Sequence, residues 1–319
     1  MFANAPAGAQ EPLDMLVVSR WVTLLLYSVT VVLGIGGNSV VIYSARNIKT
    51  KVTNVFLVNL AVADLIFCFT RILSLVHRLR FNDWPFGSFL CKFNGFFKYI
   101  NMFCSVFLLA VISLDRALCV CRPIFTKTRR TFFVARVVAV CVWTLAIVLS
   151  VPFFMYRDIY TNKYNKTKCN IDKGQEKDVR IYLYVLRFVC GFLLPFWLIL
   201  VCSVVAGLGI KRLNLSRKKR SLRILVVLVT SFFLCWAPYH CLQLFKVTES
   251  YTQVLKPWQR ITSAIGYFNS CVNPFLYYCL GMELGGCFRQ RQHRVYSRAM
   301  VIEEAPHGEG TPSTATRDL

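Results

Sequence analysis

The sequence predicts an all-α membrane protein, a seven-transmembrane helix bundle with a short amphipathic eighth helix. Three observations point there. Hydrophobic residues make up 56% of the 319-residue chain and charged ones only 17%, a balance too apolar for an ordinary soluble domain. Apolar stretches long enough to cross ~30 Å of hydrocarbon at ~1.5 Å per residue recur along nearly the whole chain, with short polar loops between them. Backbone amides in hydrocarbon must be satisfied within their own segment, which makes these stretches helices rather than open strands.

Seven spans occupy residues 21–43, 52–75, 89–120, 132–156, 182–210, 222–245 and 261–280. The net charge of +23 is scattered through the flanks of these spans rather than gathered on one soluble face, which points to the lipid bilayer as partner and away from nucleic acid. The first twenty residues hold no basic leader followed by an apolar core, so the first span is expected to serve as the targeting signal.

Orientation follows from the loops. Odd loops carry dense short basic runs, such as Lys211, Arg212, Arg217, Lys218, Lys219 and Arg220, which weakly favours them on the cytoplasmic side. The fourth loop holds the glycosylation acceptor Asn165-Lys166-Thr167 and Cys169, which an oxidising outer face would pair with Cys91. The amino terminus is therefore expected outside. The chain then divides into an extracellular tail, 1–20, the bundle, 21–281, an amphipathic juxtamembrane helix, 282–294, and a cytoplasmic tail, 295–319. A second acceptor pattern, Asn214-Leu215-Ser216, falls in the cytoplasm and should stay unmodified. Of fourteen cysteines, only Cys91 and Cys169 fall at the outer edge, so one disulfide is expected.

A charge inside a membrane helix costs ~2.5 to 3.5 kcal/mol on the lenient insertion scales, so each one retained has a reason. Asp64 lies in the middle of the second span, and Asn101, Ser105, Asn269 and Asn273 are similarly deep. Two readings stand for this group: a sodium site, or a structural water network. Arg71, Lys98 and Arg187 lie in the outer halves of three different spans without a matching set of acids. They read either as snorkelling side chains or as the wall of an anion-binding cavity open to the outside, and the second reading accounts for all three together. Trp236 and Tyr267 complete the candidate ligand set. At the inner end of the third span, Asp115-Arg116 is either a snorkelling pair or a lock that releases Arg116 to a partner. Pro152, Pro195, Pro238 and Pro274 each remove a helix hydrogen bond and permit a kink.

Taken together these residues resemble the rhodopsin-like G protein-coupled receptors, from Gly37-Asn38 to the segment after Tyr277. The shared set includes Leu60-Ala61-Val62-Ala63-Asp64, Asp115-Arg116, Trp143, Pro195, Phe232 with Cys235-Trp236-Ala237-Pro238, and Asn273-Pro274-Phe275-Leu276-Tyr277. Trp84-Pro85-Phe86-Gly87 is similar to formyl peptide receptors. Asn101-Met102-Phe103, Arg187-Phe188-Val189-Cys190-Gly191-Phe192 and Phe232 to His240 resemble the chemerin receptor.

The resemblance implies a peptide or acidic lipid chemoattractant outside and an inhibitory-class G protein inside. It further implies arrestin and receptor kinases on the tail, no cofactor beyond a structural sodium ion, and a plasma membrane location. It assigns Arg187 to ligand contact, Phe232, Trp236 and Pro238 to the helix movement, and Asp115, Arg116, Asn273, Pro274 and Tyr277 to G protein coupling. It gives the sodium site to Asp64, Asn101, Ser105, Asn269 and Asn273. Two departures stand out: Ser203 where the family usually has a tyrosine, and Ala117 where it usually has Tyr or Cys. They motivate a second reading, a decoy that binds ligand with weak G protein coupling. The outer tail has only Glu11 and Asp14 as acids and no tyrosine, which favours a small anionic ligand.

Leu284 and Phe288 among Arg289, Arg291 and Arg294 suit a short helix on the inner leaflet, with Cys287 a candidate for palmitoylation. Ser297, Thr311, Ser313, Thr314 and Thr316 offer kinase sites. Enzyme signatures of the Gly-x-Ser-x-Gly, His-Glu-x-x-His and phosphate-loop kinds are missing from the sequence. A transporter, whose intramembrane charges would line a substrate path, is the rival of a different class, and the spans show no internal duplication to support it.

Overall fold

The computed structural model describes residues 10–46, 52–80, 83–162, 165–171, 177–212, 216–245 and 255–279, with the side chains of 10–14, 46, 177, 216–221, 256 and 277–279 outside that set. The expectations for the Tyr277 side chain, the helix at 282–294, Cys287, the kinase sites and the acceptor at Asn214 lie outside the described residues.

Every span expected from hydropathy is a helix. In chain order these are α1 (Gln10–Arg46), α2 (Thr53–Leu79) and α3 (Gly87–Cys121), a short loop helix α4 (Pro123–Arg129), then α5 (Phe132–Met155). The fifth span is α6 (Lys177–Phe188) and α7 (Leu194–Arg212) joined by one π-helical turn at Val189–Leu193. The sixth and seventh are α8 (Ser216–Phe245) and α9 (Leu255–Cys279). Helix α1 begins inside the stretch read from sequence as a tail. Six of the described spans are long and apolar enough to cross a membrane. Helix α9 is more polar because Asn269, Ser270 and Asn273, all buried, occupy its inward side.

The distribution of side chains is inverted relative to a soluble protein. Val32, Phe133, Val140, Trp197 and Leu234 are exposed, whereas Asn38, Asp64, Ser113 and Ser150 are fully buried. An exposed apolar belt of this extent is stable only against lipid. Helix α3 runs through the middle, packing on α2, α5, α7 and α8, and α1 packs on α2 and α9. Close approach of α1 and α9 requires Gly37, because a Cβ there would lie 2.9 Å from Pro274 Cβ. Beside it Asn38 Nδ2 donates to the Ser270 carbonyl at 2.9 Å, replacing one helix's water with the other's backbone.

Local chemistry sets the helix ends and the π turn. Thr131 accepts from the Val134 N–H at 3.2 Å and caps α5. Pro123 opens α4, where its missing N–H is no loss. Pro195 cannot donate to the Gly191 carbonyl four residues earlier, and the π turn immediately upstream absorbs that defect. Gly191 in that turn lies against α3, where a Cβ would come within 2.7 Å of Met102 Cε.

The fourth loop forms an antiparallel hairpin that hydropathy did not foretell: β1 (Arg157–Thr161) and β2 (Thr167–Ile171), with Tyr160 opposite Lys168. Its period-2 pattern is hidden because neither face is uniformly apolar. The Cys91–Cys169 disulfide, with Cα atoms 5.6 Å apart, ties β2 to the start of α3. Asn165 at the turn is exposed and has φ of 52°, a conformation asparagine tolerates better than most residues.

Candidate functional site

A cavity of about 750 Å³ opens at the hairpin end of the bundle. Its deepest cations are Lys98 on α3 and Arg187 on α6, respectively 9% and 2% exposed. Lys98 Nζ and Arg187 Nη1 each donate to Tyr239 Oη at 3.0 Å, and Arg187 Nη1 also lies 3.4 Å from Tyr99 Oη. Phenol oxygens therefore stand where carboxylates would otherwise face these cations. The Nε and Nη2 groups of Arg187 are buried without a hydrogen-bond partner. Orphaned guanidinium donors in a buried setting are costly unless something arrives to accept from them.

No aspartate or glutamate lines the cavity among the described residues. The acids nearby are engaged elsewhere. Asp158 accepts from Ser88 Oγ at 2.5 Å and sits 3.3 Å from Lys92 Nζ; Asp83 accepts from the Thr167 N–H at 3.0 Å. The Ser88 bond, the Ile159 N–H and Lys92 together hold the Asp158 carboxyl below its ordinary range. On β2, burial lowers the Lys168 ammonium below its usual value, and the neighbouring Lys166 and Arg260 lower it further.

Of the three outer-half cations expected to converge, the structure brings Lys98 and Arg187 to the cavity and turns Arg71 away. Arg71 Nη2 donates to Asn94 Oδ1 at 2.6 Å and to the Asn94 carbonyl at 2.8 Å. Its guanidinium lies against the Phe67 and Tyr267 rings, 4.5 and 5.1 Å from their centroids. Asn94 engages Nη2 of Arg71, while Nε stays buried without a hydrogen-bond partner; the two residues face each other across α2 and α3, a rotation that depth along the helix does not reveal. Trp236 and Tyr267 do not line the cavity either. They pack beneath it: the Tyr267 ring meets both Lys98 and Arg71, 5.3 and 5.1 Å from its centroid. Trp236 packs edge-on to Tyr239, with centroids 5.6 Å apart. Gly266 admits the Trp236 ring, since a Cβ there would lie 3.2 Å from Trp236 Cε3. Phe232 follows one turn below, its centroid 6.2 Å from that of Trp236.

Of the polar residues expected around Asp64, Asn101 and Asn273 meet it directly. Asp64 Oδ1 accepts from Asn101 Nδ2 and Oδ2 from Asn273 Nδ2, each at 2.8 Å, and Ser270 Oγ adds a 3.4 Å bond to Asn101 Oδ1. Ser105 Oγ and Asn269 Oδ1 are buried without partners. A wholly buried carboxylate held by neutral donors alone is chemically suited to a hard monovalent cation. Ser270 was not among the residues anticipated, because serine is unremarkable in a membrane helix.

At the opposite end, Asp115 pairs with Arg116 and also with Arg130 from the loop before α5, whose Nε lies 2.7 Å from Asp115 Oδ1. Both arginines donate to Thr53 Oγ1, at 2.5 Å from Arg116 and 2.6 Å from Arg130. Partial burial pulls the Arg130 guanidinium down, but the bond and charge of Asp115 outweigh it and hold the group above its ordinary value. Ala117 packs against Cys202 and Ala206 on α7. Pro238 and Pro274 sit inside α8 and α9.

Residues 37–277 match the family described as 7 transmembrane receptor (rhodopsin family). The chain is 36% identical over 301 residues to the C3a anaphylatoxin chemotactic receptor of Danio rerio, covering 92% of this chain and 81% of that one. It is 35% identical over 316 residues to the fMet-Leu-Phe receptor of Homo sapiens, covering 92% and 88%. It is also 35% identical over 292 residues to Formyl peptide receptor 2 of Mus musculus, covering 85% and 82%. These relatives are receptors rather than enzymes, and the match spans the cavity, the Asp64 group and the Asp115–Arg116 pair alike. The chain is a multi-pass membrane protein that belongs to the rhodopsin family of seven-transmembrane receptors, within its chemoattractant branch.

Proposed function

We propose that this receptor has its amino terminus and hairpin end outside the plasma membrane and binds the negatively charged group of a chemoattractant, a peptide carboxyl terminus or an acidic lipid. The observation that carries this reading is Arg187: almost wholly buried, held at one nitrogen by Tyr239, with two further donor groups lacking acceptors in a cavity that no acid lines among the described residues. A carboxylate accepting from those donors would gain charge-assisted bonds in a desolvated setting, each on the order of 1.5 to 3 kcal/mol. The names of the relatives support a chemotactic role.

Ligand binding above Tyr239 would press on Trp236 and Phe232 and open the opposite end, where Arg116 leaves Asp115 and Thr53 to meet an inhibitory-class G protein. Asp64, Asn101, Ser105, Asn269 and Asn273 would hold sodium in the resting state, its charge offsetting the buried carboxylate. Arrestin and receptor kinases would act on the cytoplasmic tail, and Asn165 would carry glycan.

The test is a screen of chemerin peptides, formyl peptides, complement fragments and acidic lipid mediators, read by calcium, cyclic AMP and arrestin responses, followed by Arg187→Ala and Lys98→Ala. Each variant should weaken an anionic agonist tenfold or more, about 1.4 kcal/mol, while sparing its uncharged analogue. Equal losses for both ligands would defeat the charge assignment.

A further inference from the structure

The cavity has a second tier of cations. Arg78 on α2, Arg157 on β1, Lys168 on β2, Arg180 on α6 and Arg260 on α9 all line its upper part. Five basic side chains from five separate elements converge there, again with no acidic residue in the described lining. Cations crowded in this way repel one another. Burial is the main cause that lowers the Lys168 ammonium, and Lys166, Arg260 and Arg78 lower it further while Asp83 partly offsets them. Arg157 adds a buried Nε without a hydrogen-bond partner, its Nη1 lying only 3.8 Å from Cys169 Sγ.

One helix sets the spacing between the tiers. Arg180, Tyr184 and Arg187 line the cavity from α6 at positions i, i+4 and i+7, a single stripe. Arg180 and Arg187 are seven residues apart, which at ~1.5 Å per residue separates the tiers by about 10 Å. Beside the Tyr160 and Tyr184 rings and Ile171, the walls present the amide groups of Gln243 and Gln259 and the hydroxyl of Ser263. Such groups can pair with peptide N–H and C=O groups but have nothing to offer an acyl chain.

We infer that the cavity is built for an acidic peptide carrying two negative charges about 10 Å apart, its terminal carboxylate on Arg187 and Lys98 and an acidic side chain at the upper ring. An extended peptide rises ~3.3 Å per residue, so the acid belongs about three residues before the terminus. This inference rests on the anion-binding reading of the deep cations and adds the second site, its spacing and the peptide class. The upper ring also focuses the field at the mouth and draws anions inward. Its contribution is screened by salt more strongly than that of the desolvated lower pair.

The experiment uses full-length receptor in detergent and acetylated alanine hexapeptides ending in phenylalanine, with one glutamate placed at the second, third, fourth or fifth position. Apparent affinity is read from the ligand-dependent shift in thermal unfolding. Glutamate at the third position, three residues before the terminus, should bind about three- to tenfold more tightly than glutamine there, with the advantage shrinking at the other positions and at high salt. Arg180→Gln and Lys168→Gln should each bring the glutamate-to-glutamine ratio close to one, while leaving the preference for free acid over carboxyl-terminal amide intact. A clear preference for the free acid combined with indifference to glutamate position, or a glutamate advantage that survives both variants, overturns the two-charge inference alone. Equal shifts for acid and amide peptides, or none at millimolar concentration, overturn the anion reading beneath it as well.

Discussion

Lys98 and Arg187 share one acceptor: Tyr239 Oη stands 3.0 Å from both the ammonium and the guanidinium. Two cations from α3 and α6 thus meet on a phenol from α8, so three helices are joined at the floor of the cavity by a single oxygen. Replacing it by Tyr239→Phe leaves both donors buried without that acceptor. The empty receptor should lose about 1 to 3 kcal/mol of stability, seen as a lower midpoint in thermal unfolding. A carboxylate ligand should restore most of the loss, because its oxygens substitute for the missing hydroxyl.

Asp64 bridges Asn101 and Asn273 at 2.8 Å on each side, and the proposed sodium site would add the partnerless oxygens of Ser105 and Asn269. Exchanging sodium for choline should raise agonist affinity about fivefold or more in the unaltered receptor, the range of an ordinary coupling between two sites. Asp64→Asn should abolish the difference. A sodium effect that persists in Asp64→Asn would remove this group as the cation site.

Arg130 shares the Asp115 carboxylate with Arg116. Its side chain is about a quarter exposed, at 26%, so the ion pair is discounted for screening to about 0.5 to 1 kcal/mol. Arg130→Ala should accordingly raise ligand-independent nucleotide exchange on the G protein about two- to fivefold. Unchanged or lowered basal exchange would show that Arg130 does not hold the resting state.

The carboxyl of Asp158 is held below its ordinary range chiefly by Ser88, then by the Ile159 N–H and Lys92. A carboxylate with a depressed folded-state value stabilises above its unfolded value and loses that contribution as pH falls through the folded one. Anchoring of β1 to α3 should therefore be constant from neutral pH down to the ordinary aspartate range and weaken only below it. Asp158→Asn should abolish that acid dependence. Hydrogen-exchange protection of the Ile159 amide, corrected for intrinsic rate, is the measurement.

Hydropathy located all seven spans within a few residues at most ends, because lipid imposes length and internal hydrogen bonding on any segment that crosses it. Asp64, Asn101 and Asn273 were legible for the same reason, since polar atoms kept in lipid must find one another. Arg71 shows the limit: its depth was readable, but the choice between the cavity and Asn94 depends on how α2 is rotated against α3. The upper ring was legible as charge and not as a site. Arg78, Lys168 and Arg260 look in sequence like ordinary membrane-flank cations until the hairpin and the helix ends gather them. Thr53 and Arg130 were missed likewise, because their bonds to the Asp115–Arg116 pair span loops whose path no periodicity records.

The π turn at Val189–Leu193 inserts one residue between two helical halves that obey different registers. One residue corresponds to about 100° of rotation around a helix. Winding that turn as regular α-helix, with no residue deleted, would swing Arg180, Tyr184 and Arg187 together off the chamber's face while leaving α7 seated on α3. Which messenger such a receptor reads thus depends on how five residues of backbone are wound, and descendants with identical cavity residues need not share a stimulus.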